Sequence, residues 1–228
     1  MTQRLTDYVK HTDLSLPHHQ AFWELVQNLL PANFLADDGE GRSVWTATAK
    51  QKPRELVSTA QAKAVFQREP TSTQIADLNS CLERFQINTT YRIQHFMAQV
   101  GHESGGLRWM QELASGDAYE GRRDLGNTQP GDGRRFKGAG AIQLTGRFNF
   151  QRFSSYMKDP RVMEGSSYVA KIYPFTSAGF WWHLNGMNTF VDQGYTCEQI
   201  SAKVNGRNPA NGLADRQAYF SRASRYIR

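Results

Sequence analysis

The stretch IQHFMAQVGHESGG, residues 93–106, decides how the chain is read. Ile93, Phe96, Met97 and Val100 recur at i, i+3, i+4 and i+7, the spacing of one face of an amphipathic helix. Thr89 or Thr90 can cap its start, and Gly105–Gly106 suits its end, where a left-handed backbone is needed. Glu103 follows Val100 by three residues and so lies at the edge of the apolar stripe, not on the solvated side. A carboxylate there is costly unless it is protonated or paired. It also stands in the last helical turn, where the dipole presents partial negative charge. Burial and the dipole both disfavour the charged form. A carboxyl that keeps its proton near neutral pH is what a general acid needs. The plain alternative is a helix-terminal Glu exposed by fraying.

Outward from this helix, composition bounds the classes open to the chain. Its 228 residues fit one domain, or one domain with an annex. Hydrophobic residues make up 39%, enough for a core. The net charge of +6 and pI near 9.4 favour an anionic partner such as nucleic acid, a membrane surface or an acidic wall polymer. No run of basic residues marks a nucleic-acid tail, and no apolar stretch reaches the ~18 residues of a membrane span. The N-terminus lacks a signal-peptide core. Cys81 and Cys197 do not make a disulfide framework, so synthesis in a reducing cytoplasm is expected.

Residues 1–69 read as a helical extension of unknown role. His18–Leu30 is amphipathic, residues 43–49 (SVWTATA) alternate weakly as a short strand, and Pro53 can open a helix running to Phe66. The main domain is expected over 70–228. Thr71 with Gln74, and Thr196 with Gln199, form capping-box patterns ahead of apolar repeats. Helices are also expected over Phe148–Met157, from Asp159–Pro160, over Phe175–Met187, and after Asn211–Gly212 with Leu213, Phe220 and Ile227 as its apolar positions. The Gly-rich, charged tract 116–140 has no sustained periodicity, and such a loop inside a domain is usually functional or disordered. The fold class is therefore mainly α, with at most a small β-hairpin.

His102–Glu103 invites a zinc-protease reading, but that motif needs a second His at position 106, which is Gly. The cysteines lack zinc spacing, and no phosphate-cradling loop is present. No metal or cofactor is expected. What remains is carboxylates around a polar, aromatic-bearing loop. Glu112 can fold back to face Glu103, and Glu120 and Asp124 lie further along. Two carboxyls across a groove are the minimum for glycoside hydrolysis. Tyr119, Phe136, Trp181 and Trp182 can stack on sugar rings, although Trp at helical spacing is more often core, Trp181 more so than Trp182.

GHESGG (101–106), AYEGRRDLGN (118–127), GDGRRFKGAGAIQLTGRFNF (131–150) and VNGRNPANGLADR (204–216) follow in that order. Together they resemble the family 19 glycoside hydrolases, most closely the phage and prophage endolysin branch. The resemblance covers Pro70 to Arg228. It implies a lysozyme-like, two-lobed helical fold around a sugar-binding cleft. By it, Glu103 matches the general acid and Thr145 the residue that holds the attacking water. Glu112 fits the second carboxylate, with Glu120 as competitor, although Arg122 and Arg123 offer Glu120 a structural ion pair. Gln143, Asn149 and Asn205 match sugar-contacting positions, unless they only brace loops; His102, Tyr119 and Trp182 complete the expected cleft. Ala139 stands where the family often has Arg beside the acid, and Phe150 replaces a frequent Tyr. The resemblance implies an inverting enzyme that cuts β-1,4 bonds of peptidoglycan strands. The expected protein is a monomer made in the bacterial cytoplasm and acting on the wall after release. The rivals are a chitinase and a catalytically silent glycan-binding module.

Overall fold

The computed structural model describes residues 54–228. The expected helix His18–Leu30, the short strand at 43–49 and Pro53 lie outside the described residues. Ten α-helices and short 3-10 turns build the described part, without a β-strand. Two isolated bridges, Gln111 to Ala139 and Ala139 to Leu144, are its nearest approach to a hairpin.

Helix α1 (Thr59–Phe66) begins six residues later than Pro53 suggests. Ser58 and Gln61 form a reciprocal capping box there. The Asn79 carboxamide meanwhile holds the backbone of Leu56 and Val57 out of any helix. Val57, Ala62, Val65 and Phe66 join the same core as the residues beyond Pro70. Helix α2 (Ser72–Arg84) starts at the Thr71–Gln74 box as expected.

Helix α3 (Thr90–Glu103) is the stretch on which the reading began. Thr89 caps it, accepting from the Arg92 N–H. Gly105 and Gly106 follow it at φ of 56° and 66°, where a β-carbon would be strained. The structure departs from a one-sided amphipathic helix, because every residue from Ile93 to Gly101 is buried. Its polar residues face partners instead of water. Gln94 donates to the Ile227 carbonyl, and Gln99 donates to Ser201. At Gly101 a β-carbon would stand 2.6 Å from the Tyr219 ring, so only glycine admits that ring.

Helix α4 (Asp132–Arg135) forms inside the tract 116–140, where no periodicity announced it, and α5 (Arg147–Met157) and α6 (Ser166–Ile172) follow the tract. The expected helix over Phe175–Met187 is two, α7 (Thr176–Leu184) and α8 (Met187–Asp192), broken where Gly186 turns left-handed. Helix α9 (Cys197–Asn205) begins at the Thr196–Gln199 box. Helix α10 (Leu213–Tyr226) packs along α3. Its buried face is Arg216, Tyr219 and Ala223, not the expected Leu213 and Phe220, which stay partly exposed. Both cysteines are free and buried. Among the described residues no helix is long and apolar enough to cross a membrane.

Two buried titratable groups pull the acid limb of stability in opposite directions. Asp77 on α2 caps α7 by accepting from the Phe175 and Thr176 N–H groups and the Thr176 hydroxyl. Burial outweighs these donors and lifts its pKa to about 6. The folded state then holds more protons than the unfolded one between about 4 and 6, so this group's contribution falls as pH rises through that window. His95 is buried with neither ring nitrogen hydrogen-bonded, between Tyr91 and Phe220. Burial lowers its pKa to about 4. Here the unfolded state holds more protons from about 6.5 down to 4, so stability is lost as pH falls. A gap of this size is worth about 3 kcal/mol. Replacing His95 by Phe is therefore expected to raise the melting temperature at pH 4.5 by about 5 °C more than at pH 7.5, read by circular dichroism. Equal shifts at the two pH values would show that His95 does not resist protonation.

Candidate active site

Glu103 ends α3 with its side chain about one-quarter exposed. Its Oε1 accepts a hydrogen bond from Arg216 Nη2 at 2.5 Å. Arg216 lies on α10 and is almost wholly buried. Its Nη1 donates to Gln99 Oε1 at 2.6 Å, and its Nε donates to the Asn211 carbonyl at 3.1 Å. This pairing supplies the compensation that a carboxylate at an apolar edge requires. Arg216 was not among the expected site residues, since nothing near Glu103 in sequence announces it. Although the Arg that the resemblance implies at position 139 is absent, Glu103 has a cation beside it in Arg216. Ala139 is itself buried, exchanging backbone hydrogen bonds with Leu144.

Asn205 and His102 serve the same corner. Asn205 Oδ1 accepts from the Asn211 N–H at 2.8 Å, bracing the loop whose carbonyl holds Arg216. His102 Nδ1 lies 2.7 Å from Asp215 Oδ2 and packs on Gly212. His102 thus ties α3 to α10, and Asn205 at the end of α9 ties down the loop before α10.

Glu112 lies beyond the helix-ending glycines. Its Oε1 accepts from the Tyr119 hydroxyl and its Oε2 from the Gly138 N–H, each at 2.9 Å. Burial first, and this bond to Glu112 second, push the Tyr119 phenol above its usual range, so it stays a donor. A carboxylate has about four lone-pair sites, so these two bonds leave capacity for a water.

A run of contacts leads from Gly105, two residues past Glu103, to Glu112. Trp109, half-exposed, lies against Gly105, where a β-carbon would meet its ring at 2.9 Å. Gln143 donates from Nε2 to the Trp109 carbonyl, and its Oε1 lies against Gly138, which holds Glu112. Thr145 donates its hydroxyl proton to the Gln143 carbonyl at 2.8 Å. The N-cap of α5 is Gly146, so Thr145 is not the helix cap that its sequence position suggests. Asn149 donates to the Thr145 carbonyl at 2.9 Å and fixes that turn. Gln143, Thr145, Asn149 and Trp181 line a cavity of about 410 Å³.

Three expectations fail. Trp182 is completely buried, its Nε1–H bonded to Asn188 and its ring perpendicular to that of Phe96, so no sugar reaches it. The partly exposed indole is its neighbour Trp181. Phe136 is also buried, under the Arg147 guanidinium and beside Phe150. Glu120 pairs with neither Arg122 nor Arg123. Its two oxygens accept from the Gly131 and Gly133 N–H groups, while Arg122 pairs with Asp124. Trp109 was overlooked because it sits after a double glycine in a stretch without periodicity.

The tract 116–140 is ordered by side chains bonding to backbone. Asn127, fully buried, donates to the Tyr119 carbonyl and accepts from the Arg147 N–H. Asp132 pairs with Arg147, and that guanidinium holds its carboxyl below the usual range. The loop thereby presents Tyr119 to Glu112. No cluster of metal-ligating side chains exists among the described residues.

No protein-family profile matches the chain. An endochitinase of Arabidopsis thaliana is 30% identical over 126 residues, 52% of this chain and 42% of that protein. The chain thus spans well under half the length of that relative. Among solved structures, chitinase C from Streptomyces griseus superposes with a TM-score of 0.59 at 18% identity, covering 76% of each chain. A bacterial family 19 chitinase gives 0.60 at 20% identity over 75% of this chain and 95% of its own. A family 19, class IV chitinase from Zea mays gives 0.58 at 15% identity over 77% and 94%. The described chain therefore has the mainly helical, lysozyme-like fold of the family 19 chitinases.

Proposed function

We propose that this chain is a glycoside hydrolase that cuts β-1,4 bonds between the amino sugars of bacterial peptidoglycan. The observation that carries the reading is the contact run that leads from Gly105, two residues past Glu103, through Trp109, Gln143 and Gly138 to Glu112, with Thr145 on the same turn. Glu103 protonates the leaving oxygen. Glu112 takes a proton from the attacking water. The Thr145 hydroxyl donates its hydrogen bond to the Gln143 carbonyl, so its oxygen lone pairs are free to accept from that water. Trp109 and Trp181 offer partly exposed indole faces to sugar rings.

The net charge of +6 favours an anionic wall over a neutral polymer. Action on the wall follows, after release from the cytoplasm. The names of the similar proteins favour a second reading, hydrolysis of N-acetylglucosamine polymer. Reducing-end release from purified sacculi and from chitin oligomers separates the two. Faster turnover on sacculi is expected; turnover on chitin alone would overturn the peptidoglycan reading, and turnover on neither would leave only a binding module.

The base assignment is testable within the same assay. Glu112→Gln is expected to lose about 100-fold in turnover, as the loss of a general base does. Glu120→Gln exchanges an acceptor for an amide facing two backbone donors, so it should lower the melting temperature and leave turnover within a few-fold. The reverse ranking would transfer the role to Glu120.

A further inference from the structure

A second cavity, of about 510 Å³, adjoins the one that holds Thr145 and Asn149. The two share Arg152, Phe180 and Leu184. Arg152 is the only charged side chain lining either of them. It is exposed, rests over the Phe148 ring at 5.5 Å, and has no carboxylate partner among the described residues. Phe148, Tyr156 and Leu184 make this second cavity apolar and leave it open to solvent.

We propose that this second cavity receives the peptide substituent of the glycan strand, with Arg152 pairing to a peptide carboxylate. The proposal rests on the peptidoglycan reading above and names what that reading leaves open, the part of the substrate that sets the preference. A guanidinium with no carboxylate partner among the described residues is a ready partner for a ligand carboxylate, which it can grip through two parallel N–H bonds. Its stacking on Phe148 places it where the two cavities meet. The volume is that of a small-molecule site, far more than the short lactyl group of muramic acid fills. A neutral chitin strand carries no carboxylate for Arg152.

The test compares kcat/KM on three probes: peptide-bearing sacculi, the same glycan stripped by an amidase so that only lactyl carboxylates remain, and chitin oligomers. In the wild type, peptide-bearing glycan is expected to be preferred over the stripped form. Arg152→Ala should cut that preference about tenfold, mostly through KM, and Arg152→Glu should cut it further. Arg152→Lys should restore part of it. A wild type that cleaves both muramyl glycans equally, or an unchanged preference in Arg152→Ala, would overturn the proposal while leaving the hydrolase reading intact. An equal loss on both muramyl glycans would also overturn it, by assigning Arg152 to the lactyl carboxylate. A wild type that cleaves neither would remove the reading on which it rests.

Discussion

Glu103→Gln is expected to lower glycan hydrolysis by about 10²–10⁴-fold, the range that general acid catalysis contributes. The amide keeps an oxygen to accept from Arg216 Nη2 and has nearly the shape of the acid, so the end of α3 should hold its place. What the variant lacks is a proton that can be given to the leaving oxygen. Circular dichroism should show native helix content, and glycan binding should persist. The loss should therefore fall on kcat more than on KM. Turnover within a few-fold of wild type would remove Glu103 from the chemistry.

Arg216→Ala is expected to cost more in stability than any other single change at the site. The guanidinium ties α10 to Gln99 and Glu103 on α3 and to the Asn211 loop. Removing one partner of a buried pair leaves the other uncompensated, at roughly 3–5 kcal/mol. In a domain of this size that is a drop of about 10 °C in melting temperature. Hydrolysis should also fall more than tenfold at temperatures where the variant remains folded, because Glu103 is no longer held. Arg216→Lys restores the charge without the fork that reaches three partners, so it should recover only part of either loss. An unchanged melting temperature in Arg216→Ala would show that the pair does not hold the two helices together.

How far the chain could be read follows from where each signal lies. Helices α2, α3 and α9 were legible because their caps and apolar repeats are local: Thr71 with Gln74, Thr89 ahead of Arg92, Thr196 with Gln199. Pro53 misled because a capping box at Ser58 and the side chain of Asn79 compete with it from elsewhere. The tract 116–140 was legible as a loop, but neither its order nor the short helix α4 inside it could be seen, since Asn127 and Asp132 are held by Arg147 on α5. At the site, the last-turn carboxylate and its glycine stop could be seen. Arg216 could not, because it meets Glu103 from 113 positions further on. Trp181 and Trp182 differ by about 100° around one helix, and only the packing of Phe96 decides which is buried.

The central claim is that Glu103 and Glu112, with Thr145, hydrolyse the glycan instead of letting the sugar attack itself. Mass spectrometry of the fragments from digested peptidoglycan tests this most directly. A hydrolase adds water across the bond, its hydroxyl to C1 and its proton to the leaving oxygen, so every new C1 should be an ordinary reducing end, and Glu112→Gln and Thr145→Ala should slow its appearance. New ends carrying 1,6-anhydro rings would contradict the account, because they form without an activated water and without a base to activate it.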